Sequence, residues 1–345
     1  MGTLRARVRT PSLKPIAAVS PCSERGWGHC GLESQLLRSN LSQQCPLVPW
    51  VLQSLCKPLC CFAPILTISP VVIGIVHHLA SFGVDIFRLC IWLVVLMVIF
   101  VPIERWSGLH PQRVFRKAFA ADLVYYFLSG LLPNLLLILP MTITAWVVHS
   151  FAPGRLYATM GAMPLWARFA AAMVVGELGS YWGHRWMHQI PVLWRFHAIH
   201  HSAEEIDWLV NTRAHPVDLA FTRMCAFIPM YLLGLAQPLG NSLDMVPVLV
   251  TVVGTIWGFF IHSNVSWRFG KLEWLVSSPA FHHWHHTNDG PETQNKNFAP
   301  MLPWIDKCFG TFYLPKQAWP AKYGTDAPVA ANLGGQLVQP LLQRD

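Results

Sequence analysis

Three histidine-rich stretches are the most informative part of the sequence. They read His184-Arg-Trp-Met-His188, His197-Ala-Ile-His200-His201 and His282-His283-Trp-His285-His286. Spacings of three and four residues place side chains on one face of a helix. Each stretch can therefore direct two or three imidazoles toward one point, and three such helices could surround more than one metal ion. Imidazole binds iron, zinc, copper and nickel, so the pattern predicts a metal site built on helices.

The composition indicates a membrane protein. Hydrophobic residues make up 53% of the 345 residues and charged residues only 12%, whereas a soluble domain usually contains about 25% charged residues. The 16 tryptophans agree with this, because tryptophan is enriched at membrane–water interfaces. The formal charge of +8 does not indicate a nucleic-acid partner, since the basic residues are scattered and form no basic stripe. The nine cysteines show no paired Cys-x-x-Cys spacing, which argues against a zinc ribbon or a ferredoxin-type cluster.

Apolar segments precede and separate the histidine stretches. A complete membrane crossing needs about 20 residues, so several of these segments must borrow residues from their flanks. Segment 123–148 is expected to form one tilted or kinked span, or a hairpin, because Pro133 and Pro140 interrupt it. The candidate segments are 62–79, 87–101, 123–148, 165–181, 219–235 and 246–261.

The order of the segments predicts the side of the membrane on which the histidines lie. The last two segments supply two crossings between the second and third histidine stretches, which returns both stretches to one side. The loop that contains Arg113, Arg116 and Lys117 lies on that side as well, whereas the opposite loop, 150–164, contains only Arg155 as a basic residue. Because basic residues concentrate in cytoplasmic loops, the histidine side is predicted to face the cytoplasm.

The first histidine stretch continues a helical stripe that begins inside an apolar segment. Glu177, Tyr181, His184 and His188 follow one another at i, i+4, i+7 and i+11. A carboxylate in an apolar span is costly and usually has a function. Glu177 is expected either to accept a proton from the free ring nitrogen of a metal-binding histidine or to pair with an arginine. A zinc protease of the His-Glu-x-x-His type is disfavoured, because no glutamate stands between His184 and His188.

The order, spacing and apolar surroundings of these motifs resemble those of the fatty acid hydroxylase and sterol desaturase superfamily, which are membrane-embedded, non-haem di-iron oxidoreductases. The resemblance extends over residues 102–315. Its most specific stretches are His184-Arg-x-x-His188, His197-x-x-His200-His201-Ser202 and Ser278-Pro-x-x-His282-x-x-His285-His286. Further stretches similar to the family are Thr212-Arg-Ala-His215-Pro216, Phe260-Ile-His262-Ser-Asn264, Asn297-Phe298, Trp304-Ile-Asp306 and Phe309-Gly310-Thr311.

The expected fold is an all-α, polytopic membrane helical bundle with a cytosolic helical cap that carries a histidine-rich di-metal site. The resemblance implies a membrane-embedded, fatty acid hydroxylase-like catalytic domain at residues 62–315, followed by a C-terminal tail at residues 316–345. Residues 1–61 match nothing in the family pattern and are expected to be a disordered or dispensable leader.

The resemblance also implies which residues hold two iron ions, with O2 as co-substrate. Glu177 and Asn264 are expected to lie beside the ligands and to hydrogen-bond near them, and Asp218 is also close to ligands in the sequence. His283 falls off the ligand face and is expected at the surface or beside a ligand. The implied ligands are His184, His188, His197, His200, His201, His215, His262, His282, His285 and His286.

The implied reaction is the O2-dependent hydroxylation or desaturation of a lipid, such as a fatty acyl chain or a sterol-like lipid. The sequence contains no dinucleotide-binding Gly-x-Gly-x-x-Gly after a strand. A separate electron donor, which is a ferredoxin, a cytochrome or a reductase, is therefore expected. Two alternatives remain open, namely a histidine-rich metal transport or metal-storage membrane protein, and a structural zinc site. A structural zinc ion needs about four ligands, which is fewer than the histidine stretches offer.

Overall fold

The computed structural model describes residues 70–236 and 244–343, with side chains from residue 82 onward. The contacts divide the chain into the units Met1–Gly74 and Ile75–Asp345. The described residues form α-helices and short 3-10 helices and contain no β-strand, only the isolated bridges Gly108–Val265 and Thr287–Tyr323. The predicted all-α fold is confirmed. The leader predicted at residues 1–61 lies outside the described residues.

The helices vary from one turn to more than ten turns in length. Two 3-10 helices, Trp208–Thr212 and Gly270–Trp274, precede α6 and α8. The α-helices are α1 (Pro70–Ser107), α2 (Phe119–Phe151), α3 (Gly154–Gly161), α4 (Leu165–Gln189), α5 (Pro191–His201), α6 (Pro216–Leu232), α7 (Met245–His262), α8 (Pro279–His285), α9 (Trp304–Cys308) and α10 (Leu333–Leu342).

Three of the described helices are long and apolar enough to cross a membrane. They are the Phe82–Ser107 part of α1, all of α2, and α7. The pair α3 and α4, bent by 118° at its break, makes a fourth span if it is counted as one. Helix α6 has only 17 residues, so of the two crossings predicted between the second and third histidine stretches only α7 reaches the length of a span.

One predicted segment boundary differs from the structure. The described part of segments 62–79 and 87–101 is one helix, because Pro70 stands in its first turn, where proline is tolerated. The segment with Pro133 and Pro140 is a single helix, the 33-residue α2, which is the single-span alternative of the prediction. At 1.5 Å per residue, α2 is about 50 Å long, which exceeds the roughly 30 Å hydrocarbon core of a bilayer.

The buried core joins the membrane helices to the segment that follows the second histidine stretch. Phe100 of α1 stacks on Trp208 and packs against Phe259 of α7. In contrast, apolar side chains on the outer faces of α1 and α2 are open, and Val98 and Leu139 are each 69% exposed. Since these exposed side chains are apolar, the outer faces suit contact with lipid.

The closest helix contact joins α4 and α6. An ideal Cβ on Gly179 would lie 2.0 Å from the carbonyl oxygen of Cys225, and one on Gly183 would lie 2.9 Å from the Cβ of Cys225. Glycine at these two positions therefore lets the helix that carries the first histidine stretch lie directly against the backbone of α6.

Replacing Gly179 by alanine should force α4 and α6 apart. Overpacking of a tight contact costs about 1–3 kcal/mol and sometimes more, so the variant should unfold at a lower temperature in detergent. The matched control is Gly254→Ala on α7, where nothing lies within 4 Å of the added Cβ. Because alanine favours helix over glycine, the control should unfold at the wild-type temperature or above it. Equal unfolding temperatures for the two variants would contradict the close contact.

Candidate metal centre

Local sequence features start and stop the helices that carry the histidines. Helix α4 ends at Gln189, and Pro191 opens α5 at the first helical position. Helix α8 starts after Ser278, whose hydroxyl accepts a hydrogen bond from the backbone N–H of Phe281 and donates one to Glu273 at 2.7 Å. Ser278 and Pro279 therefore define the start of the helix that carries the third histidine stretch.

Nine of the ten histidines predicted as ligands converge into two groups, within each of which the donor nitrogens lie within 4.8 Å of one another. The two groups are called the five-histidine group and the four-histidine group below. The five-histidine group consists of His184, His188, His197, His201 and His285. The four-histidine group consists of His200, His262, His282 and His286.

The second and third histidine stretches are each divided between the two groups. In α5, His197 and His201 belong to the five-histidine group and His200 to the four-histidine group. In α8 and its C-cap the roles are reversed, since His285 alone joins the five-histidine group. Two residues four apart share a side of the helix, whereas the residue between them points to the neighbouring side. Each stretch therefore serves two points instead of one.

The two groups lie directly beside each other. The rings of His201 and His286 stack with centroids 4.5 Å apart, and those of His282 and His285 stack with centroids 5.2 Å apart. Each of these contacts joins a member of one group to a member of the other. The arrangement suits two neighbouring metal ions.

Hydrogen bonds fix the tautomer of five of the nine histidines. Their Nδ1 atoms face oxygen acceptors, so each Nδ1 carries the proton and leaves a lone pair on Nε2. The bonds run from His184 to the carbonyl of Phe298 at 2.8 Å, from His197 to the carboxylate of Asp218 at 2.8 Å, from His200 to the carbonyl of Arg213 at 3.0 Å, from His262 to the carbonyl of Gly258 at 2.7 Å and from His285 to the carbonyl of Lys296 at 2.8 Å.

These tautomers bring lone pairs face to face. The Nε2 atoms of His184 and His197 lie 3.0 Å apart, and those of His200 and His262 lie 3.2 Å apart. When both rings of such a pair are neutral, neither nitrogen has a proton to donate, so the pair repels unless a cation lies between its members. Two imidazole nitrogens that bind one metal ion at about 2.1 Å and at right angles lie about 3.0 Å apart. The side chains therefore fit metal ions in both groups.

Burial keeps these imidazoles in the neutral form that binds metals. It lowers the pKa well below the usual histidine value, and repulsion by neighbouring histidines lowers the pKa further. This holds for five of the residues on α5 and on α8 with its C-cap, namely His200, His201, His282, His285 and His286. In addition, Nε2 of His188 is buried without a hydrogen-bond partner among the described residues, while its Nδ1 contacts Asn295.

A buried group of four charges holds the second histidine stretch. The carbonyl of Arg213 accepts the hydrogen bond of His200, and its guanidinium binds Asp122 at 2.5 and 3.0 Å. Arg116 binds both Asp122 and Asp207, and Asp207 caps the 3-10 helix that follows. Because each buried charge has partners of opposite sign, removing one would leave an uncompensated charge.

Asp306 fixes the backbone behind the five-histidine group. Its carboxylate accepts the N–H groups of Phe298 and Ala299, both at 2.8 Å, and the hydroxyl of Thr311 at 2.7 Å. These hydrogen bonds hold the carbonyl of Phe298 in the position where it accepts a hydrogen bond from Nδ1 of His184. The family-like motifs around Asn297 and Asp306 thus act through the backbone that orients a histidine.

His215 does not join either group. It caps the N-terminus of α6, where its Nδ1 accepts the N–H of Val217, and its Nε2 contacts the carbonyl of Leu337 at 3.1 Å. The prediction that His215 is an additional ligand therefore finds no support in the arrangement, because both of its ring nitrogens are directed at backbone atoms.

Glu177 and Asn264 also have partners other than histidine rings. Glu177 accepts the N–H groups of Met301 and Leu302, since seven helical residues place it about 10 Å along the axis from His184. Asn264 pairs through its amide with both backbone groups of His110. Both side chains thus hold backbone segments, and neither makes the expected hydrogen bond to a ligand.

The sequence did not reveal the contact between Asp218 and His197. It predicted that His283 lies off the ligand face but not that this side chain is fully buried. Asp218 lies in the first turn of α6 and makes the carboxylate–histidine contact that was expected of Glu177. His283 lies off the ligand groups, as expected. It is fully buried, however, and bonds to the hydroxyl of Tyr323 and the carbonyl of Ser263. A polar residue three positions after His215, in a helix first turn, was the available signal for Asp218.

A cavity of about 540 Å³ opens onto both histidine groups. Its walls are mainly apolar side chains of α1, α2, α4, α6 and α7, together with His184 of one group and His262 of the other. A volume in the range of about 300–1,000 Å³ is typical of small-molecule sites. The cavity can thus hold an apolar molecule with one part close to the metal ligands.

The segment predicted as a C-terminal tail packs against the histidine helices in its described part. Helix α10 contacts α5, and Gln336 accepts a hydrogen bond from Tyr125. The carbonyl of Leu337 faces His215. Residues 316–343 therefore contribute to the support of the second histidine stretch.

Residues 169–311 match the fatty acid hydroxylase family. Three curated relatives are an ornithine lipid hydroxylase of Rhizobium tropici, an alkylglycerol monooxygenase of Xenopus tropicalis and a Delta(7)-sterol 5(6)-desaturase of Gibberella zeae, which are 34%, 29% and 26% identical. The alignments cover 52%, 44% and 48% of this chain and 52%, 32% and 44% of the relatives. The chain thus spans about half the length of these relatives or less. No solved structure matches the chain. The predicted resemblance to the fatty acid hydroxylase and sterol desaturase superfamily is confirmed over residues 169–311.

The Asp218→Asn variant should bind metal more weakly, because it removes the charge that orients His197 and raises its basicity. Loss of such a partner typically costs roughly 10- to 100-fold in metal affinity, which chelator competition would measure. Glu177→Gln is the matched control, since Glu177 accepts only backbone N–H groups in the structure. Its metal affinity should equal that of the wild type. The reverse ranking of the two variants would show that Glu177, and not Asp218, supports a ligand.

Proposed function

We propose that this chain, whose residues 169–311 belong to the fatty acid hydroxylase family, is a membrane-bound, non-haem di-iron enzyme that uses O2 to hydroxylate or desaturate a lipid. One observation carries the proposal. Two adjacent groups of buried histidines open into a single cavity that lies between apolar helices. The two histidine groups and an apolar cavity therefore lie next to each other, which supports the proposal.

Two iron ions would be held by the nine histidines of the two groups. When bound, they would supply the O2-dependent oxidation of an unactivated C–H bond. Burial favours the neutral form of His200, His201, His282, His285 and His286, and Asp218 and backbone carbonyls accept the Nδ1 protons of other ligands. Because nine ligands exceed the roughly four that a structural zinc ion needs, a purely structural site is disfavoured.

The substrate would enter the cavity from the membrane. Three of the helices that line the cavity, α1, α2 and α7, are long and apolar enough to cross a bilayer, and the lining side chains are largely apolar. The names of three curated relatives specify an ornithine lipid, an alkylglycerol and a Delta(7)-sterol. A lipid substrate with a polar end and an apolar chain is therefore the class that the cavity and the relatives support together.

We further propose that the histidine side faces the cytoplasm and receives electrons from a separate ferredoxin, cytochrome or reductase. Arg113 and Lys117, in the loop between α1 and α2, are exposed and available to an acidic partner. Arg116 is not available, because it is buried between two aspartates. Since salt screens exposed charges, added salt should weaken the contact with the donor.

Metal transport or storage is the alternative function. A transported ion must leave its site readily, whereas buried imidazoles of fixed tautomer favour retention. Exchange of the bound metal with free metal over minutes in purified protein would favour transport, and retention over many hours would favour the enzyme.

The metal content of purified protein tests the two groups separately. The wild type should hold about two irons per chain. His200→Ala removes a ligand of the four-histidine group and His285→Ala one of the five-histidine group, so each variant should lose at least one iron by elemental analysis. His215→Ala is the matched control and should keep the wild-type content, because His215 joins neither group. A single tightly held zinc in the wild type would rule out the di-iron proposal.

Product analysis tests the reaction. Membranes that contain the wild-type protein and a reducing system should form an oxidised lipid only in the presence of O2. The double variant His200→Ala/His285→Ala should form none. A product that gains an oxygen atom from labelled O2 identifies hydroxylation, and one that loses two hydrogens identifies desaturation. No O2-dependent change in any lipid would exclude both reactions.

A further inference from the structure

One charged side chain in the cavity has no role in holding the histidines. Helix α6 presents a stripe of side chains to the cavity, and the first of them, Asp218, bonds to His197. Further along the stripe lies Arg223. Among the described residues that line the cavity, it is the one arginine or lysine. Its surroundings are chiefly apolar, because Ala226 and Phe227 of α6 and Val250 and Val252 of α7 line the same cavity.

Arg223 lacks the counter-charge that other arginines of the protein have. Arg116, Arg168 and Arg213 each lie within 2.7 Å of a carboxylate oxygen. No described carboxylate forms an ion pair with Arg223, and its recorded contact is a long one of 3.4 Å from Nη1 to Oδ1 of Asn134. A charge among membrane helices is costly and usually marks a functional site. The guanidinium is therefore available to a ligand.

The two carboxylates that line the cavity, Glu177 and Asp218, do not supply this counter-charge either. Glu177 also lines the cavity, but its Oε2 accepts the N–H groups of Met301 and Leu302. Asp218 is engaged by His197. Both carboxylates of the cavity thus have partners of their own, and the positive charge of Arg223 is left for the occupant.

The position of Arg223 relates it to the histidines. An ideal Cβ on Gly183 would lie 3.7 Å from the Cα of Thr222, and these residues immediately precede His184 and Arg223 respectively. The two helices thus bring the backbone of Arg223 to the level of the five-histidine group. Long side chains on a helix lean toward its N-terminus. In α6 this is the end that carries Asp218, which contacts His197 of α5. Arg223 therefore lies in the cavity that His184 and His197 also line, five residues along α6 from Asp218.

We propose that Arg223 binds the anionic group of the lipid substrate and selects lipids that carry a carboxylate or a phosphate over neutral lipids. The inference rests on the proposed function in one respect, since it takes the cavity to be the substrate site. The guanidinium can donate two parallel hydrogen bonds to a carboxylate or phosphate. A neutral alcohol or sterol in the cavity would leave this charge uncompensated.

Direct binding tests the inference without turnover. Detergent-purified full-length protein is titrated with oleate, with oleoyl lysophosphatidate and with oleyl alcohol, which share an acyl chain and differ in the polar group. Native mass spectrometry counts the bound lipid. At least one of the two anions should bind about tenfold more tightly than the alcohol, as expected for a charge-assisted contact. The tighter anion identifies carboxylate or phosphate as the group that is recognised.

Three variants assign the preference to Arg223. Arg223→Gln should bind the anion no more tightly than the alcohol, and Arg223→Lys should keep part of the preference. Arg155→Gln is the matched control, because Arg155 is exposed and outside the cavity lining, and it should behave as the wild type. The iron content of all variants should equal that of the wild type, which separates a binding defect from misfolding.

Two results would overturn the inference, namely equal binding of anions and alcohol by the wild type, or an unchanged preference in Arg223→Gln. The wild-type comparison needs no variant, so it remains decisive even if Arg223→Gln fails to fold. Failure of the proposed function gives a different pattern. In that case the lipid anion binds through Arg223, but no lipid is oxidised in the presence of O2.

Discussion

Imidazole lone pairs that face each other at about 3 Å repel one another, and the rest of the structure must hold the rings together against this repulsion. Such an arrangement exists only where each opposite ring nitrogen donates to an oxygen held in place, and where cations can bind between the rings. The supporting oxygens belong to Phe298, Arg213, Gly258, Lys296 and Asp218. Four of the five are backbone carbonyls, so the path of the main chain determines the chemistry of the site.

This requirement explains why buried polar side chains surround the histidines. Asp306 holds the turn that contains Phe298, and the Arg116–Asp122–Asp207–Arg213 group holds the turn that presents the carbonyl of Arg213. Asn264 and Glu177 do the same for the segments at His110 and Met301. Side chains that resemble candidates for catalysis in the sequence thus serve to position backbone near the ligands.

The sequence predicts the helices and nine of the residues that converge, because helical spacing and apolar length are local properties. It does not predict the division of His197, His200 and His201 between two groups, since that depends on how three helices are oriented relative to one another. His215 and Glu177 show the same limit. Each lies at a suitable place in a motif or stripe, yet it contacts backbone atoms, and Leu337 for His215 and Met301 for Glu177 are distant in sequence and leave no local pattern.

The division of α5 and α8 between the two histidine groups gives both helices a second property. Each is a short rigid body whose rotation moves ligands of both groups at once, and neither can adjust to one ion while the other group stays still. An ion bound in one group would therefore constrain the two helices that also carry ligands of the other group.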